Sequence, residues 1–341
     1  MNKKLTGKEI AQIAGVSPTT VSLVKKGKSG VSEEKRKEIL QLLKESGYVG
    51  LPDEKNMEKT IALLIRDDLY DLRHIFYHEV MGSILRICRN QPFNIVVQYI
   101  DYENDEHNDQ VFERADTWDA AIICSDPKDS ILCHLFQRNV PFIIVDSSAE
   151  SKVAYAVCVD YETAAFDITN YLIDKGHREI AYFGNARSAE DHSFTVHTLN
   201  GFQRALQERN IVNSNRLCLN TYDENHLYSF IDQVLASPVP PTALFCSTDS
   251  TAIQVIRYLW QKGLQVPEDI SVVGMDDIIV SRYTVPALTT MRVDREEMAQ
   301  LCVQMCERLI SGKRIRSVYA SPCKLMERDS VAPPPGKVKQ M

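Results

Sequence analysis

Apolar residues follow two rhythms along the chain, and the change from one to the other divides it. Over the first fifty positions they recur at helical spacing in three short runs. Ile10, Ile13 and Ala14 follow Thr6, a candidate N-cap, and the run stops at Gly15. Gly15-Val16-Ser17-Pro18 reads as a tight turn: glycine tolerates a positive φ, Ser17 can cap the next helix, and Pro18 suits a first helical position. Thr19 to Lys25 then forms a second helix with Val21 and Val24 inward, which leaves Ser17, Thr19, Thr20, Ser22, Leu23 and Lys25 outward. A third helix starts at Ser32 with Glu33 and Glu34 in its first turn, runs through Ile39, Leu40 and Leu43, and ends at Gly47. Three short helices around one core, the second presenting small polar side chains and one leucine, fit the major groove of DNA.

From Thr60 onward short β-branched runs alternate with helical patterns. TIALLI, FNIVVQYI, DAAIIC, PFIIVD, EIAYFG, TALFCS and ISVVGM each precede a helix-like segment, and the clearest helices span 74–89, 161–175, 198–209, 249–262 and 294–311. Such alternation predicts an α/β fold with parallel sheets. Ligands of open α/β sheets sit beyond the carboxyl ends of the strands. Here those ends are acidic: Arg66-Asp67-Asp68, Asp146, Asp160, Ser247-Thr248-Asp249 and Asp276-Asp277. Each aspartate alone is an ordinary helix N-cap. Their convergence predicts a pocket whose carboxylates accept hydrogen bonds from the hydroxyls of a polyol, or pair with an amine.

Charge separates the same two regions. Residues 1–50 hold ten Lys or Arg and five Glu, a net of +5, whereas the whole chain carries −7, so the remainder carries −12. A basic module on an acidic body suits phosphate contacts made locally by the module, although a solvated surface helix would also account for basic residues there. With 341 residues and 44% hydrophobic content, the chain can bury a full core in a small domain plus one or two larger ones. Its longest apolar runs fall far short of the roughly 20 residues that span a bilayer. MNKKLTGKEI contains no apolar signal core, so a soluble cytoplasmic protein without membrane partners is expected. Nine scattered cysteines show no paired spacing and read as reduced, mostly buried thiols. No phosphate-binding, dinucleotide, zinc-protease or nucleophile-elbow motif occurs, so no catalytic residue, cofactor or metal is assigned. His74 and His78 are read as surface histidines, Cys302 and Cys306 as core fillers, and the tail APPPGKVKQM as disordered.

The stretch LTGKEIAQIAGVSPTTVSLVKKGKSGVSEEKRKEILQLLKESGY, including AGVS, TVS and GY, resembles the DNA-binding domain of the lactose/galactose repressor (LacI/GalR) family nearly end to end. The resemblance implies that the second helix reads bases through Ser17, Pro18, Thr19, Thr20, Ser22 and Leu23, with Thr6, Lys26 and Lys28 near phosphates. Leu23 departs from the arginine often found there, so it can touch only a thymine methyl or exclude a wrong base. The family usually continues with a hinge helix whose leucine wedges into the minor groove. This chain has only VGLPDEKNMEK before Thr60, a plain tether in which Leu51 could still serve as a degenerate wedge. DYETAAFDITNYLIDKGHREIAYFG, GFQRAL, STDSTA, VPEDISVVGMDD, PALTTMRVD and ERDSV extend the resemblance to the family's periplasmic-binding-protein-like core of two Rossmann-like subdomains.

That core implies crossovers near 160, 290 and 321. The expected organisation is a helix-turn-helix domain at 1–48, a linker at 49–59 and an effector-binding and dimerisation domain at 60–332, followed by a disordered tail at 333–341. The two subdomains would be 60–160 with 290–321, and 161–289 with 322–332. Positions carried over as effector contacts are Asp67, Phe76, Ser125, Asp146, Thr198, Tyr222, Asp249 and Asp276. Thr198 stands where the family commonly has an arginine that holds sugar hydroxyls, and Arg187 or His192 could substitute for it. Operator DNA, a sugar-like small effector and a second copy of the chain are the implied partners, with a protein corepressor as an alternative to the effector. A transport binding protein would need export and no helix-turn-helix. An enzyme of similar layout would need a catalytic constellation that the sequence does not display.

Overall fold

The structure is a computed structural model that describes residues 5–25, 30–48, 59–67, 74–89, 91, 93–125, 127–146, 155–184, 193–212, 216–221, 223–313, 315–316 and 318–336. The expected linker at 49–59, except Lys59, lies outside the described residues, as do Leu51, Lys26, Lys28, Arg187, His192 and Tyr222.

Three helices form first: α1 (Gly7–Ile13), α2 (Pro18–Lys25) and α3 (Glu33–Glu45). Each begins on a hydroxyl that satisfies an orphan backbone N–H. Thr6 Oγ1 accepts the Glu9 N–H at 3.3 Å while Glu9 Oε2 accepts the Thr6 N–H at 2.6 Å, a capping box. Ser17 Oγ accepts the Thr20 N–H at 3.1 Å, and Ser32 Oγ accepts the Lys35 N–H at 3.4 Å. Ile10, Ala11, Ala14, Val21, Val24, Ile39, Leu40 and Leu43 make one buried cluster. Ile13, expected in that stripe, is 55% exposed. Ile10, Ala11 and Ala14 already fill the narrow line along which a seven-residue helix meets its two neighbours, so Ile13 is turned outward.

The rest of the chain builds two six-stranded sheets. The first comprises β1 (Lys59–Arg66), β2 (Phe93–Ile100), β3 (Ala120–Cys124), β4 (Phe142–Val145), β5 (Tyr155–Val159) and β11 (Val318–Ser321), in the order β11-β5-β4-β3-β1-β2 and parallel throughout. Helices α4 (Ile75–Cys88), α5 (Asp105–Phe112), α6 (Asp129–Gln137) and α11 (Arg295–Ile310) belong to it. The second comprises β6 (Ile180–Phe183), β7 (Leu217–Cys218), β8 (Ala243–Cys246), β9 (Ser271–Asp276), β10 (Thr289–Arg292) and β12 (Lys324–Met326), in the order β12-β10-β9-β8-β6-β7. Only β12 is antiparallel there. Helices α7 (Tyr161–Asp174), α8 (Ser193–Glu208), α9 (Glu224–Leu235) and α10 (Asp249–Gln261) cover it. The chain passes between sheets after Val159, after Arg292 and after Ser321. β10 completes the second sheet, so the middle passage follows Arg292 instead of preceding it.

Each central strand is apolar along its whole length because helices cover both faces, and all eight residues of β1 except its two ends are buried. Cys302 and Cys306 lie fully buried on the inner face of α11. The tail expected to be disordered is anchored at its start. Ala332 donates its N–H to Ser271 Oγ at 3.1 Å, its carbonyl lies 2.9 Å from His177 Nε2, and Pro334 packs against Gly176. A short apolar-poor segment is held by hydrogen bonds that composition does not reveal. Among the described residues no helix is long and apolar enough to cross a membrane.

α7 and α8 approach so closely that a methyl group on Gly201 would overlap the Glu162 carbonyl oxygen and crowd the Ala165 Cβ. Gly201→Ala is therefore expected to destabilise the fold by about 1–3 kcal/mol through overpacking. Gly82→Ala, on an exposed turn of α4 with open space around it, should be neutral or stabilising by up to about 1 kcal/mol. Urea unfolding of the two variants beside the parent checks both signs, and a neutral Gly201→Ala would refute the close approach.

Candidate functional site

The strands that face the gap between the sheets end on residues that leave the sheet abruptly. Ser125 after β3, Asp146 after β4, and Asp276 and Asp277 at the end of β9 have φ of 73°, 61°, 112° and 51°. Such values are costly for residues with a Cβ, least so for aspartate and asparagine, and persist only where surrounding contacts impose them. Here the contacts are identifiable.

Asp146 is held by two phenols. Tyr77, from the first turn of α4, donates to Oδ2 at 2.7 Å, and Tyr161, the first residue of α7, donates to Oδ1 at 2.6 Å. One donor belongs to each half of the molecule, so this carboxylate links them. Burial pushes both phenols well above their ordinary pKa, and the negative Asp146 reinforces the shift. Both therefore remain proton donors at any working pH. Phe76 meets Tyr77 edge-on at 5.3 Å, and Phe194 meets Tyr161 edge-on at 4.6 Å, which walls the carboxylate with aromatic rings.

Across the gap, Arg295 fixes the turn after β9. Its guanidinium donates to the carbonyl oxygens of Asp276 and, at 2.8 Å, Asp277, while Nε pairs with Glu79 Oε2 at 2.8 Å. The other Glu79 oxygen accepts the Ile279 N–H at 2.8 Å. Asp277 is fully buried and pairs with Arg292 at 2.6 Å and Arg328 at 2.5 Å, so it pins β9, β10 and the segment after β12 together. Asp276 differs. The residue is only 6% exposed, and no donor among the described residues reaches its carboxyl. Burial raises its pKa strongly, with Asp249, Asp146 and Glu79 adding to the shift and Arg295 opposing it.

The positions singled out from the sequence fall into three groups. Phe76, Ser125, Asp146 and Asp276 come together around the gap, and Asp67 lies exposed just beyond β1. Thr198 and Asp249 sit behind that surface, inside the second subdomain. Thr198 is fully buried, its hydroxyl 2.8 Å from Tyr182 Oη. Asp249, also fully buried, accepts from Ser281 Oγ and Thr290 Oγ1 at 2.5 Å each and from the Ile278 N–H at 3.0 Å. Gly274 makes room for it, since a side chain there would collide with Asp249 Oδ1. Tyr222 lies outside the described residues. Tyr77, Tyr161, Glu79 and Arg295 were not foreseen. Tyr77 adjoins Phe76 and Tyr161 adjoins a recognised N-cap, but their partner Asp146 is 69 and 15 residues away. Among the described residues no group of three or more His, Cys, Asp or Glu is placed to hold a metal ion.

At the other end of the chain, Ser17, Pro18 and Thr19 are exposed and Thr20, Ser22 and Leu23 half-buried, opposite the buried Val21 and Val24. Thr6 and Ser17 commit part of their hydrogen-bonding capacity to capping. Ser17 Oγ is also 2.8 Å from Thr20 Oγ1.

Residues 6–50 match the model of the lacI family of bacterial regulatory proteins, and residues 169–331 match that of a periplasmic binding protein-like domain. The second match covers the second sheet and α11, so for most of the first sheet the likeness is carried by whole-chain comparison. The probable HTH-type transcriptional repressor ExuR of Bacillus subtilis (strain 168) is 28% identical over 335 residues, covering 96% of this chain and 98% of that protein. A LacI family transcriptional regulator from Enterococcus faecium, solved with bound ribose, is similar at a TM-score of 0.69 and 26% identity, covering 81% of this chain and 99% of that one. The lac repressor dimer bound to operator and an anti-inducer is similar at a TM-score of 0.69 and 22% identity, covering 97% and 100%.

The carboxyl of Asp249 gives the site a pH signature. Burial pushes its pKa up to about 7, the three hydrogen bonds pulling the other way and Asp277 adding to the rise. The folded chain thus keeps a proton that the unfolded chain loses above about pH 4. This contribution to stability is present at acid pH and is lost as pH climbs from about 4 through about 7. Asp249→Asn, which cannot ionise, should lose less stability than the parent across that window. Urea unfolding at a series of pH values reads the difference, and parallel curves would contradict it.

Proposed function

The chain belongs to the lacI family of bacterial regulatory proteins, and on that premise we propose that it is a dimeric, cytoplasmic repressor whose hold on operator DNA is set by a small polar effector. The observation that carries the proposal is the cleft itself. Asp146 and Asp276, one from each sheet, lie close enough to influence each other's charge, and the carboxyl of Asp276, a residue only 6% exposed, meets no donor among the described residues. A poorly hydrated carboxyl that meets no protein donor is one with which a ligand hydroxyl or amine would pair favourably. Asp67, Phe76, Ser125, Asp146 and Asp276 are assigned as effector contacts, joined by Tyr77 and Tyr161. Tyr222 is retained as an effector contact from the resemblance, and Thr198 and Asp249 as positions that shape the site from behind. The ribose in the Enterococcus faecium regulator supports a sugar-like ligand for this fold.

Both ends of the mechanism follow from local chemistry. The exposed face of α2 enters the major groove with Ser17, Pro18, Thr19, Thr20, Ser22 and Leu23, and Thr6, Lys26 and Lys28 contact phosphates. Without an arginine at Leu23 the site would favour thymine methyls over guanine edges at that step. Two copies give a two-fold reader for a pseudo-palindromic operator. For the second copy the proposal uses exposed apolar residues: Tyr283 (72% exposed) and Val285 (92%) in the segment after β9, and Val97, Tyr99 and Leu85 on the edge strand β2 and α4. Exposed apolar residues of this kind support an interface there. A ligand that changes the angle between subdomains changes the spacing of two reading heads, which is how cleft occupancy would reach the DNA. The segment at 49–58 would tether the heads.

Operator selection from random DNA, followed by gel shifts of the full chain, tests this reading. Binding should fall steeply with added salt because phosphate contacts release counterions. Removal of residues 1–48 should abolish it. Tyr283→Asp combined with Val285→Asp should give monomers in sedimentation and weaken operator binding by an order of magnitude or more (~10-fold) through loss of two-site linkage. A tight, salt-independent complex, or a double variant that stays dimeric, would overturn the corresponding part.

A further inference from the structure

We propose that Lys25 contacts a backbone phosphate of the operator and that Tyr48 is the residue that holds it in position. This rests on the reading of α2 as the helix that enters the major groove, and it gives a role to a cation that helical spacing only turned outward. Lys25 is the exposed last residue of α2, three positions after Ser22 and seven after Pro18. At about 100° per residue, those spacings place it on the stripe that carries both. Its ammonium lies 4.2 Å from the centroid of the Tyr48 ring and meets no carboxylate among the described residues. Lys35 and Lys59, by contrast, pair with Glu38 at 2.9 Å and with Asp119 at 3.2 Å. A carboxylate neutralises a lysine, whereas a ring face holds the cation and leaves its charge in place.

The ring is itself fixed from several sides. Just past the end of α3, where Gly47 takes a φ of 76°, the Tyr48 N–H donates to the Leu43 carbonyl at 3.1 Å. Its hydroxyl donates to the Leu5 carbonyl, ahead of α1, at 3.1 Å, and its ring packs against the cluster shared by the three helices. One side chain thus ties the approach to α1 and the ends of α2 and α3 together. Helix length decides where the ammonium falls. α2 has 8 residues, about 12 Å at 1.5 Å per residue, and the major groove is about 12 Å wide. A recognition helix turns its N-terminal residues towards the base edges. With Ser17, Pro18 and Thr19 at that end, the opposite end emerges at the groove wall, where the phosphates are. An ammonium held there pairs with a phosphate without first breaking an ion pair, and the ring has already restricted a side chain that would otherwise lose much rotamer freedom on binding.

The test is the affinity of the full-length protein for its selected operator over a salt series, read by fluorescence anisotropy. Lys25→Met should reduce the slope of log K against log salt by about 0.9, one released counterion, and weaken operator and random DNA alike by roughly fivefold to tenfold near 0.1 M salt. Lys25→Arg should restore the slope. Lys35→Met removes an equal charge from α3 and should leave the slope in place. An equal fall in Lys35→Met, or an unchanged slope in Lys25→Met, overturns the phosphate contact. Tyr48→Leu removes the ring, and the affinity it loses in the parent should not be lost again when Lys25 is already Met. The same loss in both backgrounds overturns the positioning role, because a purely structural defect does not depend on Lys25. Tyr48→Phe keeps the ring and should keep the slope; a folded Tyr48→Phe whose slope falls as in Lys25→Met overturns the ring's part, even where urea unfolding shows that Tyr48→Leu does not fold. Thr19→Ala combined with Ser22→Ala separates the proposal from the reading beneath it. The ratio of operator to random-DNA affinity should narrow if α2 lies in the groove, and a preserved ratio overturns that reading. A narrowed ratio beside an unchanged Lys25→Met slope overturns the phosphate contact alone.

Discussion

One guanidinium at the waist of the molecule governs the rest of the sensor. Arg295 opens α11, a helix of the first subdomain, yet its donors reach the carbonyls of Asp276 and Asp277 in the second. Its remaining edge is taken by Glu79, which also accepts the Ile279 N–H. These bonds hold two consecutive aspartates in left-handed backbone, a conformation that neither would keep alone. Because the turn is fixed from outside, one aspartate can serve the structure and the other a ligand. Asp277 is consumed by Arg292 and Arg328, while Asp276 is left open towards the cleft.

The same arrangement explains why burying so many carboxyls is tolerable. Removing one partner from a buried pair is costly, whereas a fully satisfied network specifies a single geometry. Asp277 is met by the guanidiniums of Arg292, Arg328 and, at 3.9 Å, Arg282, Asp249 accepts from Ser281, Thr290 and the Ile278 N–H, Asp146 accepts from two phenols among its partners, and no donor among the described residues reaches the Asp276 carboxyl. Satisfaction thus declines from the body of the subdomain towards the cleft. The carboxyl with the least support lies where a ligand can supply what is missing, which is a physical basis for calling that position a site. Subdomain closure is coupled to it through shared atoms: Tyr161 reaches Asp146 from the second subdomain, and Glu79 reaches Ile279 from the first. A ligand that bridges Asp146 and Asp276 adds to contacts already spanning the hinge, and its differential affinity for one arrangement is what would shift the equilibrium.

How far the sequence disclosed this depends on the distance over which each feature is encoded. Helices α1 to α3 were legible because capping hydroxyls, a turn glycine and apolar spacing all lie within a few residues of one another. Seven strands were legible as apolar runs. β7 and β12 were not, since they have two and three residues and borrow their pairing from neighbours far along the chain. α5, with the sequence DEHNDQVF, buries only Asn108, Val111 and Phe112, too little for periodicity to register. α8 begins at Ser193, a turn and more before the expected 198, because Phe194 packs on Tyr161 of the adjoining helix and extends the order backward. In the site, aspartates at strand ends could be read directly. Which of them faced a ligand could not, because that depends on whether Arg292, Arg328, Ser281 and Thr290 arrive to satisfy them.

The departures at the two functional faces share a physical theme. Leu23 and Thr198 each stand where the family commonly has arginine, and each substitution removes a fork of donors. On α2 the loss exchanges hydrogen-bond readout of a base edge for apolar contact, so selectivity there must come from shape and methyl packing. Behind the cleft Thr198 packs within α8: its hydroxyl lies 2.8 Å from Tyr182 Oη and donates to the α8 backbone, and the Phe202 ring lies tilted against Tyr182 in the same buried layer.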